Sequence, residues 1–233
     1  MWRSTAIPSP QNLQHAQVSA HQLQAFFKPA LNEKGEQSPM PLLHQAWNLW
    51  PALVPNGTGL NVHDNLILAA LSDTELAALA PHLERVTLGS GQVIAQPGQV
   101  MGHVYFPLDC SVSWVSHTVD GESAELALVG GDGLIGVPLV LGGLAMQHTV
   151  QVQCGGQALR MGADVFLRIM DTQARLQKLA LLYVQWQMAQ MAQSIVCSRH
   201  HAVSERLSHW LLSNAQAAKR AELHVTHEAI SHM

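Results

Sequence analysis

The stretch from Thr172 to His201 constrains the fold more than any other, because it contains no proline and no glycine and few β-branched residues. Such a stretch predicts one long helix. Within it, apolar residues recur at alternating spacings of three and four, which is the seam by which two helices pack together. The seam residues are Leu181, Val184, Met188, Met191 and Ile195.

A second apolar stripe lies on another face of the same predicted helix, so the helix is expected to bury two sides. This stripe contains Leu176, Leu179, Tyr183 and Trp186. One side would meet the preceding domain and the other a second copy of the chain. A core helix in a monomer gives the same pattern, and the seam is too short for its spacing to separate the two interpretations.

Composition limits the size, charge and cellular location expected of the protein. The 233 residues are enough for one large or two modest domains. The net charge is −4 with 12% charged residues, so DNA contact would require a local basic patch. Cys110, Cys154 and Cys197 lie far apart, which argues against a disulfide framework and fits a reducing cytoplasm. The start resembles no secretory signal and no apolar run suits a membrane span, so we expect a soluble, cytoplasmic protein.

Residues 1–62 are rich in glutamine, proline, serine, histidine and asparagine, with short apolar islands and no sustained period. The pattern favours a poorly ordered extension. A small helical subdomain is the alternative, because Trp47 and Trp50 would suit docking on the folded body. A start site assigned upstream of the real one would also explain the segment.

Residues 63–170 have a different character. Two short helices come first, and the second has a capping-box pattern in Ser72 and Glu75. From Arg85 to Met161 short apolar runs are broken by Gly, Pro and Asp-Gly turns, and Thr149–Cys154 alternates strictly. Short strands at this spacing predict a compact antiparallel barrel or sandwich.

A glycine-rich segment, Val129 to Gly136, interrupts that sheet, with four glycines around the single acid Asp132. Glycine permits positive φ and close backbone approach, so the segment could aim N–H groups at an anion. A tight turn from strand to helix explains the same residues. The segment alone leaves both interpretations open.

The residues after the long helix predict three short elements. Ala202–Ser213 places Val203, Leu207, Trp210 and Leu211 on one helical face. Leu223–Val225 is a short apolar-polar segment. A last helix opens at Thr226, whose hydroxyl can cap it, with Glu228 in the first turn.

This order of elements resembles the Crp/Fnr superfamily of bacterial transcription factors over about Asn65 to Met233. The segments that carry the resemblance are His103–Val115, Glu122–Gly143, Met188–Leu212 and Leu223–Met233. The resemblance implies an α+β protein with an antiparallel, cyclic-nucleotide-binding-like β-roll at 63–170. It further implies a parallel dimerisation helix at 171–201 and a winged helix-turn-helix at 202–233, incomplete in this chain.

The resemblance also implies what the protein does. It would be an effector-responsive transcriptional regulator rather than an enzyme, acting as a homodimer on promoter DNA in its full-length form, without a cofactor. By resemblance the effector pocket comprises the residues Gly130, Gly131, Gly133, Leu134, Ile135, Gln147 and His148.

Two positions of this pocket depart from nucleotide-binding relatives. Those proteins use a Glu just after the loop glycine for the ribose and an Arg further along for the cyclic phosphate. Here the corresponding residues are Leu134 or Ile135, and Gln147 or His148. None supplies the carboxylate or the charged fork of Arg, so ordinary cyclic AMP binding is not expected. The scattered cysteines also lack the pattern of an iron-sulfur cluster.

The C-terminal segment resembles only the first helix of a helix-turn-helix, in which the second helix reads the bases. The sequence therefore predicts a shortened regulator with impaired DNA reading. Backbone contacts to DNA would come from Arg199, Thr226 and His227.

Two other functions remain as alternatives. A metal-dependent cupin-like enzyme shares this kind of β-roll, but His103, His117 and His148 form no His-x-His pair and have only Glu125 as an acidic partner within a strand. Cys197, His200 and His201 lack the further ligands of a tetrahedral site, so no metal site is expected. A DNA-free sensor that forms heterodimers with longer relatives is the second alternative.

Overall fold

The computed structural model describes residues 16–19, 61–220, 222–225 and 230. Most of the predicted extension, with Trp47 and Trp50, lies outside these residues. So does most of the predicted last helix, including Thr226, His227 and Glu228.

The body of the protein is built from two antiparallel sheets. The first has the strand order β2 (Glu84–Leu88), β8 (Gly156–Gly162) and β4 (His103–Pro107). The second has the order β3 (Val93–Ala95), β7 (Thr149–Cys154), β5 (Ser111–His117) and β6 (Ser123–Val129). A bridge between Tyr105 and Ile135 ties the glycine-rich segment to the first sheet.

Side chains from both sheets fill the space between them, which confirms the predicted β-roll. Phe106, Leu134 and Ile135 are fully buried there. The alternation of β7 places Val150 and Val152 in this core, whereas Cys154 packs in a separate cluster with Trp210. A register shift of β5 between Ser111 and Val112 lies opposite this end of β7.

Two short helices precede the strands, α1 (Leu66–Ala69) and α2 (Asp73–Leu79). The Ser72 side chain caps α2 and Glu75 closes the capping box, as the sequence predicts. Asn65 caps α1 and is fully buried. Its side-chain amide is satisfied there, because it donates to the carbonyls of Pro107 and Gly133 at 3.1 and 2.8 Å. This side chain fixes the start of the domain to the glycine-rich segment.

The predicted long helix is α5 (Ala174–His200). It does not begin at Thr172, because a further helix, α4 (Ala163–Thr172), ends there and Gln173 has the non-helical dihedrals φ −109° and ψ 87°. The sequence analysis did not identify α4 as a separate helix, although Gly162 ends β8 and is the N-cap of α4. A short helix, α3 (Val137–Val140), follows the glycine-rich segment.

The chain turns back after α5, and α6 (Val203–Ala217) packs on the outer side of the second sheet. β9 (Glu222–Val225) follows and pairs antiparallel with β1 (Ala16–Ser19), with Ala16 opposite Val225. Among the described helices, none combines the length and the apolar character needed to cross a bilayer.

Candidate functional site

The glycine-rich segment is a turn from β6 to α3, and three of its glycines touch other elements. A β-carbon on Gly130 would lie 2.5 Å from Cβ of Ala217 in α6. On Gly131 it would lie 2.9 Å from the Asp64 carbonyl oxygen, and on Gly133 2.4 Å from the Tyr183 ring in α5. Glycine is required here because neighbouring elements leave no room for a side chain.

The acid of this turn, Asp132, is buried beside Tyr183. Burial raises the pKa of Asp132, although N–H groups of the turn, including that of Gly130, donate to its carboxylate and oppose the shift. The pKa of Tyr183 is raised well above its usual value by burial and then by the charge of Asp132. Within the turn, the N–H of Gly130 donates to the Asp132 carboxylate and that of Gly133 donates to the Gly130 carbonyl, whereas the N–H of Ile135 donates to the Tyr105 carbonyl outside it.

The predicted pocket positions Leu134 and Ile135 are core residues without exposed surface. The glycine that immediately precedes a helix is Gly136, whose φ is 132°. Val137, the residue after it, is also buried. Whichever of these positions corresponds to the acidic residue of nucleotide-binding relatives, this chain offers an apolar side chain.

The other two predicted pocket residues lie at the start of β7. Gln147 is exposed, and its amide donates to the Ala145 carbonyl at 3.4 Å. His148 is half-buried and stacks on Trp114 with 6.3 Å between ring centroids. Burial lowers the pKa of His148, which favours the neutral form of the ring.

Sequence reasoning missed the polar atoms that α5 buries against the roll. Gln187 is 2% exposed, and neither atom of its amide has a hydrogen-bond partner among the described residues. The Tyr183 hydroxyl, one helical turn earlier, and the Trp114 indole N–H are likewise buried and unpaired within that part of the chain. Buried polar atoms without partners are rare in native proteins and mark water or ligand positions. The signal in the sequence was a Gln on the core face of α5.

A cavity of about 280 Å³ opens elsewhere, between β3, the loop before β4, and Tyr105. It contains none of the predicted pocket residues. Within the described residues, no group of three or more His, Cys, Asp or Glu side chains lies close enough to hold a metal ion.

The five seam residues of α5 divide into two groups. Leu181, Met188 and Ile195 are 45%, 66% and 61% exposed and repeat every seven residues. Val184 is 7% exposed and belongs to the core of the roll, and the half-buried Met191 packs against that core. Leu182, Trp186 and Val196 add further exposed apolar surface beside the first group.

Of the predicted DNA contacts, Arg199 is exposed in the last turn of α5. The other two, Thr226 and His227, lie outside the residues that the structure describes.

Comparison with known proteins agrees with this geometry. Residues 85–173 match a family model described as cyclic nucleotide-binding domain, and they contain both sheets from Arg85 onward and the whole of α4. The chain has a cyclic nucleotide-binding-like fold. The match overlaps the roll predicted at 63–170, and it does not cover the predicted helix-turn-helix.

Two solved structures share the fold. A protein described as a transcriptional regulator of the Crp/Fnr family from Eubacterium rectale aligns with a TM-score of 0.59 at 12% identity, over 73% of this chain and 80% of its own. The regulator CLP from Xanthomonas campestris, described as responsive to c-di-GMP, aligns with a TM-score of 0.51 at 13% identity, over 61% of this chain and 72% of its own. No curated protein matches this chain by sequence.

Proposed function

We propose that this protein is an effector-responsive transcriptional regulator of the Crp/Fnr type that acts as a homodimer. The observation that carries the proposal is the double role of α5. One face of this helix closes the core of the cyclic-nucleotide-binding-like domain through Leu176, Tyr183 and Val184. The other presents Leu181, Met188 and Ile195 to solvent. A single rigid helix therefore links the proposed sensor to the proposed partner surface.

The homodimer follows from the chemistry of the exposed face. Burying three large apolar side chains from each of two copies is favourable by roughly 25 cal/mol per Å² of apolar area. Residues at spacings of seven stay on one side of a helix pair that supercoils, so two parallel copies bring like residues together. We limit the proposed interface to Leu181, Met188 and Ile195, because Val184 and Met191 pack against the core of the same chain.

The proposed effector site combines residues of the glycine turn, the two residues before β7 and buried polar side chains of α5. Its proposed residues are the predicted Gly130, Gly131, Gly133, Leu134, Ile135, Gln147 and His148, to which we add Tyr183 and Gln187. The unpaired amide of Gln187 calls for a neutral ligand group that both donates and accepts hydrogen bonds. A cyclic phosphate is disfavoured, because Leu134, Ile135, Gln147 and the neutral His148 supply no fixed positive charge.

Thermal unfolding with candidate effectors tests this site. A ligand that binds only the folded state raises the unfolding temperature by mass action. We expect cyclic AMP at millimolar concentration to leave the temperature unchanged. We expect a true effector, found by screening neutral polar metabolites, to raise it in the wild type and not in Gln187→Met. A clear shift with cyclic AMP, lost when Gln147 or His148 is replaced by Ala, would refute the proposed neutral site.

Promoter DNA is the proposed partner of the C-terminal segment. The family resemblance of Met188–Leu212 and Leu223–Met233 supports this, and Arg199 stands exposed at the end of α5 for a phosphate contact. Arg199→Gln should weaken DNA binding to a similar extent for all sequences and reduce its dependence on salt. Filter binding at several salt concentrations measures both. If the dependence of DNA affinity on salt concentration is unchanged in Arg199→Gln, Arg199 does not contact a phosphate.

A further inference from the structure

The described residues form two separate hydrophobic clusters. The larger one is the core of the roll and contains Cys110. The smaller one joins Trp210, Leu211 and Ala215 of α6, with Ala218 just after it, to Leu223 of β9 and to Cys154 at the end of β7. α6 therefore has a small core of its own, on the outer side of the second sheet.

A layer of polar side chains lies between α6 and that sheet. The Trp210 indole N–H donates to the Glu125 carboxylate at 2.9 Å, and the Ser113 hydroxyl donates to the same oxygen. The Ser111 hydroxyl donates to the Asn214 side-chain carbonyl at 2.7 Å. Ser111, Ser113 and Asn214 have no exposed surface, so this polar layer is closed to bulk solvent.

Ionic contacts hold the C-terminal end of α6. Lys219 donates to the carbonyl and the carboxylate of Asp64 at 2.8 and 3.0 Å. Arg220 lies 3.9 Å from the carboxylate of Asp109. Lys219 adopts the left-handed φ of 51°, which is unfavourable for residues other than glycine. The ion pair to Asp64 offsets this cost only while α6 is docked.

We propose that α6 is a releasable latch, which docks on and leaves the sheet as one unit while the roll remains folded. Release would carry away β9 and whatever the chain holds beyond it, so the latch governs the position of the C-terminal segment. The inference does not depend on the effector or on DNA, because it concerns only the contact between α6 and the roll.

The chemistry of the interface is the reason for reversibility. Separating two apolar faces exposes both to water at full cost, whereas hydroxyl, amide and carboxylate groups regain hydrogen bonds from water when they separate. Proteins open locally in cooperative units where few buried apolar contacts cross. Among the described residues, Cys154 is the one member of the smaller cluster that the sheet contributes, and Ala217 adds a small apolar contact with Gly130 just after β6.

Two native cysteines can report on release of the latch, so no cysteine has to be introduced. Cys154 is covered by α6, with its Sγ 4.0 Å from the Asn214 side-chain carbonyl oxygen. Cys110 is buried in the roll, where burial and the charge of Asp109 raise its pKa to about 12. The purified full chain would be treated with a thiol reagent in increasing urea, and modification of each cysteine followed by peptide mass spectrometry.

We expect Cys154 to react at a rate that is nearly independent of low urea concentrations, and Cys110 to react only as the whole domain unfolds. Trp210→Phe, which removes the hydrogen bond to Glu125, should speed the reaction of Cys154 about tenfold and leave Cys110 unchanged. Trp186→Phe, on the exposed side of α5, is the matched control and should change neither. Equal rates and equal urea dependence for Cys154 and Cys110 would overturn the latch. An unchanged Cys154 rate in Trp210→Phe would overturn it as well.

Discussion

Gly133 and Tyr183 touch so closely that a β-carbon on the glycine would lie 2.4 Å from Cε2 of the tyrosine ring. The glycine turn and the long helix α5 are thus closely packed at this position. Anything that moves the turn must move α5 or tilt its tyrosine. This contact is the most direct mechanical connection between the proposed effector site and the proposed dimer helix.

Gly133→Ala should destabilise the fold by about 1 to 3 kcal/mol, because an added methyl group in a packed site forces side chains and backbone to shift. Urea unfolding measures the change. Gly102→Ala is the control, since a β-carbon there meets nothing within 4 Å, and it should stay within about 0.5 kcal/mol of the wild type. Equal stability of the two variants would show that Tyr183 yields to the methyl group without cost.

Gln187→Met should raise the free energy of unfolding without ligand by about 1 kcal/mol or more. The buried amide of Gln187 has no partner among the described residues, so it loses its water on folding and gains nothing in return. Gln185→Met, at an exposed position of α5, should have little effect. If Gln187→Met is instead destabilising, the amide is paired in the protein and the proposed polar site loses its main support.

Glu125→Gln should change how stability depends on pH. Burial raises the folded-state pKa of Glu125 above its ordinary 4.5, although Ser113 and Trp210 donate to it and oppose the shift. The folded protein therefore holds this proton more tightly than the unfolded chain. Its contribution is complete below pH 4.5 and is lost as pH rises through the folded-state pKa. Relative to the wild type, Glu125→Gln should gain stability as pH rises over that window.

Asp164→Asn should change the pH dependence of the unfolding free energy in the opposite direction to Glu125→Gln. The hydrogen bond from Arg168 holds the pKa of Asp164 below its usual value. The wild type therefore gains from Asp164 as pH rises, and the Asn variant falls behind it by a small amount, since both side chains are exposed. For the Glu125 prediction, curves of unfolding free energy against pH that run parallel in the wild type and in Glu125→Gln would contradict the raised pKa of Glu125.

The roll was predictable because its signals are local. Turn residues and alternation in Thr149–Cys154 specify strands, and Ser72 with Glu75 specifies a helix start. The close contacts of Gly130 and Gly133 were not predictable, since glycine in sequence does not tell whether a turn or a distant helix requires it. The two environments of the α5 seam were not predictable for a related reason. Periodicity identifies apolar positions, but it does not tell that Val184 packs in the core of the same chain while Leu181 is exposed.

Light scattering on the purified chain tests the central claim, that α5 joins two copies through Leu181, Met188 and Ile195. The account predicts twice the 25.3 kDa chain mass for the wild type and a single chain mass for Met188→Glu, with circular dichroism unchanged. Val119→Glu, which alters a fully exposed apolar residue of the hairpin between β5 and β6, should remain dimeric. A monomeric wild type across concentrations, or a Met188→Glu protein that stays dimeric, would contradict the account.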